Sequence, residues 1–155
     1  MAPPLIFETR FDAPVGYAFA WLTDFRPEDM RLGDPKAPLI RVRREGNKIT
    51  REFEMMGMKF HNVTTIESTT RWTTESEILS GAGKILAVGH VVETIAPAGE
   101  AASHRAEVAQ EPRSLRMRLI QPMMRSQQRK NLTTLFANAK REMEAQFKSG
   151  KPPTA

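Results

Sequence analysis

The order of two hydrophobic periods along this chain constrains its fold more than any other feature. Between residues 39 and 110, apolar side chains recur at about every second position in short segments, separated by turns that contain Gly, Pro or Asn. After residue 114 the spacing lengthens to three or four residues and stays there to residue 148. A period of two is typical of strands and a period of 3.6 is typical of helices. The sequence therefore predicts consecutive strands followed by one long helix.

Seven strands are predicted in total. The first spans residues 5–11, and the other six are joined by hairpins and cover residues 39–44, 49–56, 60–68, 71–79, 84–95 and 101–110. In the strand over 71–79, Glu75 and Glu77 must face water, which turns Trp72 and Thr74 toward the interior.

Two helices are predicted. Tyr17, Trp21 and Phe25 recur four residues apart, which indicates a short amphipathic helix after the first strand, ending near Asp24. The long helix covers about 115–148, with Ser114 as a plausible N-cap. Pro122 should kink or divide it.

This order predicts an α+β helix-grip fold: a seven-stranded, curved antiparallel sheet around a long C-terminal helix, with a short helical segment after the first strand. At 155 residues the chain fits one domain, 1–155, with a core over 5–148. A sheet of this size has one face to bury, and the last helix is the element long enough to cover it. Since one helix rarely fills a curved sheet, we expect an apolar cavity between them.

Composition narrows the function classes. The chain has no Cys, which excludes disulfides and a cysteine nucleophile. Its 23 Lys and Arg are interspersed with 18 Asp and Glu, so the net charge of +5 does not predict nucleic acid as a partner. The residues at the N-terminus do not resemble a signal peptide, and a cytoplasmic location is expected. His61, His90 and His104 lie on different predicted strands without metal-ligand spacing, so we expect neither a metal nor a cofactor.

Several segments resemble the SRPBCC (START-like) superfamily. They are Asp12-Ala13-Pro14 after the first strand, the aromatic helix over 17–24, the turn over 94–100 and the final helix. The resemblance covers about residues 5–148, and the subgroup nearest in appearance is the polyketide cyclase/dehydrase-like one. It implies a deep pocket for lipids, polyketides, sterols or ligands the size of plant hormones. The superfamily includes carriers, receptors, cyclases and co-chaperones, so the fold does not decide the function.

The candidate ligand-binding residues are those expected to face the cavity. They are Arg51, Phe53, Met55, Asn62, Thr64, Trp72, Thr74 and His90 on the strands, and Met117, Met124, Gln128, Leu132 and Leu135 on the long helix.

Each type of candidate has a structural alternative. Arg51 could hold a ligand carboxylate, or it could extend to solvent from an edge strand. His90 is in phase with Leu86, Val88 and Val92, and it could act as a general base in the cavity or as a hydrogen-bonded structural histidine. The methionines could line a pocket mouth or simply fill the core.

Three functions follow from these patterns. The first is binding or carriage of a hydrophobic or amphipathic small molecule, lipid or polyketide-like. The second is a polyketide cyclase/dehydratase-type enzyme that uses a cavity histidine. The third is a co-chaperone-like interaction module, which predicts an exposed apolar patch. A basic flank of Arg118, Arg125 and Arg129 on the long helix allows a transient contact with a membrane surface, or is a solvated face.

Overall fold

The computed structural model describes residues 2–154. Its elements, in chain order, are β1 (Leu5–Phe11), α1 (Val15–Leu22), a 3₁₀ helix (Asp29–Leu32), β2 (Arg41–Glu45), β3 (Lys48–Met55), β4 (Met58–Ser68), β5 (Arg71–Leu79), β6 (Ile85–Ala98), β7 (Ala101–Pro112) and α2 (Leu115–Lys148). The predicted order is confirmed. β6 runs further than predicted because Pro97 still pairs with Ala102, which leaves a tight turn at Gly99, where φ is 66°.

All seven strands form one antiparallel sheet in the order β1-β7-β6-β5-β4-β3-β2. Strands β2 to β7 are joined in sequence by hairpins. The last strand, β7, also pairs with β1, and Leu5 lies opposite Val108. The register shifts once between β4 and β5, at Ile66/Ser68, and once between β5 and β6, at Ile78/Leu79. Register shifts of this kind bend a sheet and increase its twist.

The inner face of the sheet, which packs on the helices, carries the main core. The core combines inner positions of five strands with α1 and the C-terminal part of α2; its buried members are Phe11, Ala13, Ala18, Trp21, Phe25, Ile49, Trp72, Ile95, Ala102, Ala139 and Met143. Burying one large apolar side chain of this kind stabilises the fold by roughly 1.5–3 kcal/mol. The packing fixes α2 across one side of the sheet.

Helix α2 is one continuous helix from Leu115 to Lys148. Ser114 Oγ accepts a hydrogen bond from Met117 N at 3.2 Å, so the predicted N-cap is confirmed. The helix continues through Pro122, so it is not divided there, which was one of the two effects predicted for this proline. The contacts of α2 concentrate on β1, β7, α1 and the 3₁₀ helix. Within residues 2–154, neither helix is both long enough and apolar enough to cross a bilayer.

Candidate ligand-binding site

The inner face of the sheet divides into two halves. In the closed half, formed by β1, β5, β6 and β7 under α1 and the C-terminal part of α2, Phe11, Trp72 and His104 are fully buried. In the open half, formed by the parts of β3 and β4 nearest their connecting turn, Phe53 and Asn62 are only partly buried. A partly exposed side chain on an inner face borders space that water can reach. The open half is therefore the candidate ligand-binding site.

Arg51 is a charged side chain at the boundary of the two halves. It lies on β3 opposite Asn62 of β4 and is partly buried. Its Nη2 donates to Thr64 Oγ1 at 3.1 Å, and the hydroxyl oxygens of Thr64 and Thr74 are 2.7 Å apart. Because a guanidinium can only donate, Thr64 accepts from Arg51 and is left to donate to Thr74. Three adjacent strands thus hold the guanidinium in place.

The loop after α1 gives Arg51 a second support. Its Cζ lies 4.2 Å from the centroid of the Phe25 ring, which is a cation–π distance. Phe25 has a φ of 46°, in the left-handed region that residues other than glycine rarely adopt. Such a conformation costs on the order of 1–3 kcal/mol and persists only where the surroundings hold it. Here the buried Phe25 ring packs in the core and against Arg51.

The charge of Arg51 lacks direct compensation. Among residues 2–154 it forms no ion pair, and its buried Nε has no hydrogen-bond partner. Burial lowers the pKa of Arg51 from its ordinary value, and the negative charges of Glu93 and Asp29 oppose that shift from a distance. Burial also raises the pKa of Asp29, although Asp29 Oδ2 accepts a hydrogen bond from Arg26 N at 2.9 Å. The site therefore has a positive centre without a contacting carboxylate.

A second polar group, absent from the sequence analysis, lies in the closed half. Glu93 on β6 accepts a hydrogen bond from Trp72 Nε1 at 2.7 Å, and its other oxygen is 3.0 Å from His104 Nε2. Since the carboxylate accepts, we assign the proton to Nε2 of His104. His104 Nδ1 is buried and has no hydrogen-bond partner within the described residues. Glu93 thereby ties β5 to β7 across β6.

The His104 ring is enclosed by aromatic side chains. Its centroid lies 5.9 Å from the rings of Phe11 and Trp72 and 5.2 Å from the ring of Phe136. The residue has 0% of its surface exposed. A ligand in the open half cannot touch this ring without displacing core side chains. We therefore assign the Glu93–His104 pair a structural role.

The prediction that His90 faces the cavity is wrong. His90 lies on the outer face of β6, with 48% of its side chain exposed, and its Nδ1 is 2.5 Å from Glu75 Oε1. The residues that share its phase, Val88 and Val92, are also on the outer face, because Val91 and Ile95 occupy the inner one. His61 has a similar outer-face environment, with Nδ1 3.2 Å from Glu52 Oε1.

The other predicted residues divide into two groups. Four are buried in packed surroundings: Thr64, Trp72, Thr74 and Met117. The partly buried ones, which can border accessible space, are Arg51, Phe53, Met55, Asn62, Met124, Gln128, Leu132 and Leu135. In the open half the rings of Phe53 and Phe60 stack with centroids 4.6 Å apart.

Near the start of α2, side chains fill the space between the helix and the sheet. Met117 packs with Ile78 and Ala87 in a second buried cluster, and Met124 packs against that cluster. The crevice that remains here has no space for a water molecule; it is lined by Ala87, Gln110, Pro112, Met117, Gln121 and Met124. For Met117, core filling is thus the correct alternative, as expected of a flexible side chain that fits irregular gaps. A recess of about 410 Å³ lies beside it at the surface, lined by Ala2, Gln110, Glu111, Pro112, Arg118 and Gln121.

Comparison with solved structures places this geometry in a known fold. TTHA0849 from Thermus thermophilus superposes with a TM-score of 0.69 at 14% identity, covering 92% of this chain and 98% of that one. Ara h 8.0201 gives a TM-score of 0.62 at 12% identity, covering 92% and 97%. DynU16, from the dynemicin biosynthetic locus, gives 0.55 at 16% identity; this chain is covered completely and spans 51% of DynU16.

The chain adopts the helix-grip fold. The curved seven-stranded sheet and the long C-terminal helix that the resemblance implies are confirmed. No family model matches the sequence. No curated protein matches it either.

Proposed function

We propose that this helix-grip protein binds an amphipathic small molecule whose anionic group contacts Arg51 and whose apolar body lies along the open half. The observation that carries this proposal is the uncompensated guanidinium of Arg51 beside partly buried aromatic side chains. A buried charge without a contacting opposite charge is unfavourable, and an incoming anion removes that cost. Arginine also offers hydrogen-bond geometry that matches a carboxylate or a similar oxyanion.

The apolar part of the ligand has suitable neighbours. Phe53 and Phe60 form a stacked pair on β3 and β4, and Met55, on the same face of β3 as Arg51 and Phe53, is partly buried. Aromatic and methionine side chains adapt to lipid-like or polyketide-like bodies. Binding or carriage of such a molecule is therefore the function that the site supports best. Membership of the polyketide cyclase/dehydrase-like subgroup remains a prediction from the sequence.

The enzyme alternative has lost its candidate residue. A cavity histidine was the proposed acid–base group, but His90 and His61 lie on the outer face and His104 is enclosed in the core. The interaction-module alternative predicted an exposed apolar surface, and such a surface exists on α2, where it is considered below.

Two fluorescent probes that differ in one group test the proposal. 1-Anilinonaphthalene-8-sulfonate carries an anionic sulfonate, whereas N-phenyl-1-naphthylamine has the same aromatic body without it. We expect the sulfonate probe to bind at least about tenfold more tightly, because hydrogen bonds to a charged group contribute about 1.5–3 kcal/mol. The Arg51→Met variant should lose that difference while remaining folded by near-UV circular dichroism.

Arg43→Met is the matched control, since Arg43 is exposed on the neighbouring strand β2. It should bind both probes as the wild type does. Equal binding of the sulfonate probe by wild type and Arg51→Met would exclude Arg51 as the anion site. Native mass spectrometry of the purified protein, followed by extraction, then asks whether a natural amphipathic acid co-purifies.

A further inference from the structure

The first turns of α2 expose an apolar stripe to solvent. Leu115, Leu119 and Met123 are 72%, 74% and 67% exposed, although they are large apolar side chains. They are four residues apart on a helix, so they lie side by side on one face. The opposite face of the same turns carries Met117 and Met124, which pack against the sheet. The stripe is therefore additional to the face that the fold buries.

Positive charge surrounds this stripe. No Asp or Glu occurs in the sequence between Glu111 and Glu142. Arg116, Arg118 and Lys130 are exposed on this part of α2, and none of them forms an ion pair within residues 2–154. The surface thus combines three exposed aliphatic side chains with several unpaired bases, and Glu111, which lines the same recess as Arg118, is the neighbouring acid.

The basic residues also stand at an unfavourable end of the helix. The first turn of α2 has no acidic residue, and it carries Arg116 followed by Arg118. The N-terminal end of a helix has a partial positive charge, which favours anions and disfavours nearby cations. An anionic partner would remove both the repulsion from the helix dipole and the repulsion among the arginines.

We propose that the apolar stripe and its flanking bases dock this protein on an anionic lipid bilayer, with α2 lying in the plane of the interface. Leu115, Leu119 and Met123 would enter the acyl boundary, while Arg116, Arg118 and Lys130 contact lipid phosphates or carboxylates. A second copy of the chain fits less well, because the stretch of α2 from Leu115 to Arg141 has bases and no acid, so two such stretches repel each other. Nucleic acid fits less well because the stripe is aliphatic and has no aromatic ring on which a base could stack.

Co-sedimentation with vesicles tests this docking. Vesicles of phosphatidylcholine with about 30% phosphatidylserine should pellet the wild-type protein, and vesicles of phosphatidylcholine alone should pellet much less. Arg116→Gln/Arg118→Gln should weaken partitioning on the order of tenfold, and raising the salt to about 0.5 M should weaken it further. Leu115→Ser/Leu119→Ser should weaken it similarly, while probe binding in the open half stays unchanged.

Arg43→Gln and Leu39→Ser serve as matched controls, since both residues are exposed outside α2. Neither variant should change partitioning. The proposal is overturned if anionic vesicles do not pellet the protein, or if the α2 variants partition as the wild type does. It is also overturned if light scattering shows a dimer that Leu115→Ser/Leu119→Ser dissociates, because the stripe would then join two copies.

Discussion

The two halves of the inner face belong to one antiparallel sheet and follow the same alternation of side chains, yet they differ in what they contribute. The closed half contains Phe11, Trp72 and Met143, each with no exposed surface, and an internal hydrogen-bond network around Glu93. The open half contains a stacked aromatic pair and a guanidinium that lacks a contacting carboxylate. The closed half therefore supplies most of the packing, whereas the open half holds a charge without a contacting counter-charge beside partly exposed rings.

Truncating one phenylalanine in each half is expected to give the largest difference in unfolding free energy between the two halves. Phe11→Ala should lower the free energy of unfolding by about 3–5 kcal/mol, because it leaves a cavity in packed surroundings. Phe53→Ala should lower it by only about 1–2 kcal/mol, because its ring is partly exposed and loses mainly the contact with Phe60. Urea unfolding at equilibrium measures both. Equal losses would mean that the two halves are packed alike.

The Glu93 network gives a test of intermediate size. The Glu93→Gln variant keeps one side-chain oxygen that can accept a hydrogen bond. Its NH₂ group, which can only donate, then faces the N–H of either Trp72 Nε1 or His104 Nε2. We expect a loss of about 1–3 kcal/mol in unfolding free energy from the unsatisfied buried group. Removing this negative charge should leave binding of the anionic probe at Arg51 intact or slightly stronger. Thermal and urea unfolding, together with probe titration, measure the two effects.

Glu52→Gln is the control for Glu93→Gln, since Glu52 pairs with His61 on the outer face with 41% of its side chain exposed. An exposed pair contributes about 0–1 kcal/mol. If Glu52→Gln costs as much stability as Glu93→Gln, the closed half is not the source of the effect.

The smallest test concerns the turn at the end of the open half. Met56 and Gly57 join β3 to β4, with φ of 53° and 73°. Two consecutive positive φ values are typical of hairpin turns that prefer Asn-Gly. Met56→Asn should therefore raise the unfolding free energy by about 0.5–1 kcal/mol. Met123→Asn, at another exposed methionine, should lower it by a few tenths because Asn is a poorer helix former. If both variants changed the unfolding free energy in the same direction, the explanation from backbone strain at Met56 would be contradicted.

The fold was predictable because two signals agreed over most of the chain. In β5, Glu75 and Glu77 could face only water, which placed Trp72 and Thr74 inward as the structure has them. The long helix had apolar residues at steps of three or four along most of its length and a recognisable N-cap at Ser114. These are local signals that do not depend on distant contacts.

The candidate site was less predictable, and β6 shows why. Val88 and Val92 on its outer face are as apolar as Val91 and Ile95 on its inner face, so alternation could not decide which face was inside. Counting from the hairpin turn fails as well, because the register shifts at Ile78/Leu79. His90 was therefore assigned to the interior and Glu93 was missed. The pairing of His90 with the exposed Glu75 becomes visible only once the register of β5 and β6 is known.

The support around Arg51 could not be predicted at all. Phe25 and Asp29 belong to the stretch between α1 and β2, whose apolar residues have no regular spacing. They approach Arg51 only through tertiary packing. The left-handed backbone of Phe25 is unusual for a phenylalanine and has no sequence signature. Sites that depend on such loops become visible only in the folded chain.

The pairing of β1 with β7 has a consequence for how the chain folds. Leu5 finds its partner Val108 only after almost the whole sheet has been synthesised, and α2, which covers β1, follows later still. Contacts between residues so far apart in sequence are typical of slow folding. Because α2 is the last element to be synthesised, the apolar inner face of the six hairpin-joined strands stays exposed to solvent until this helix is made and packs against the sheet.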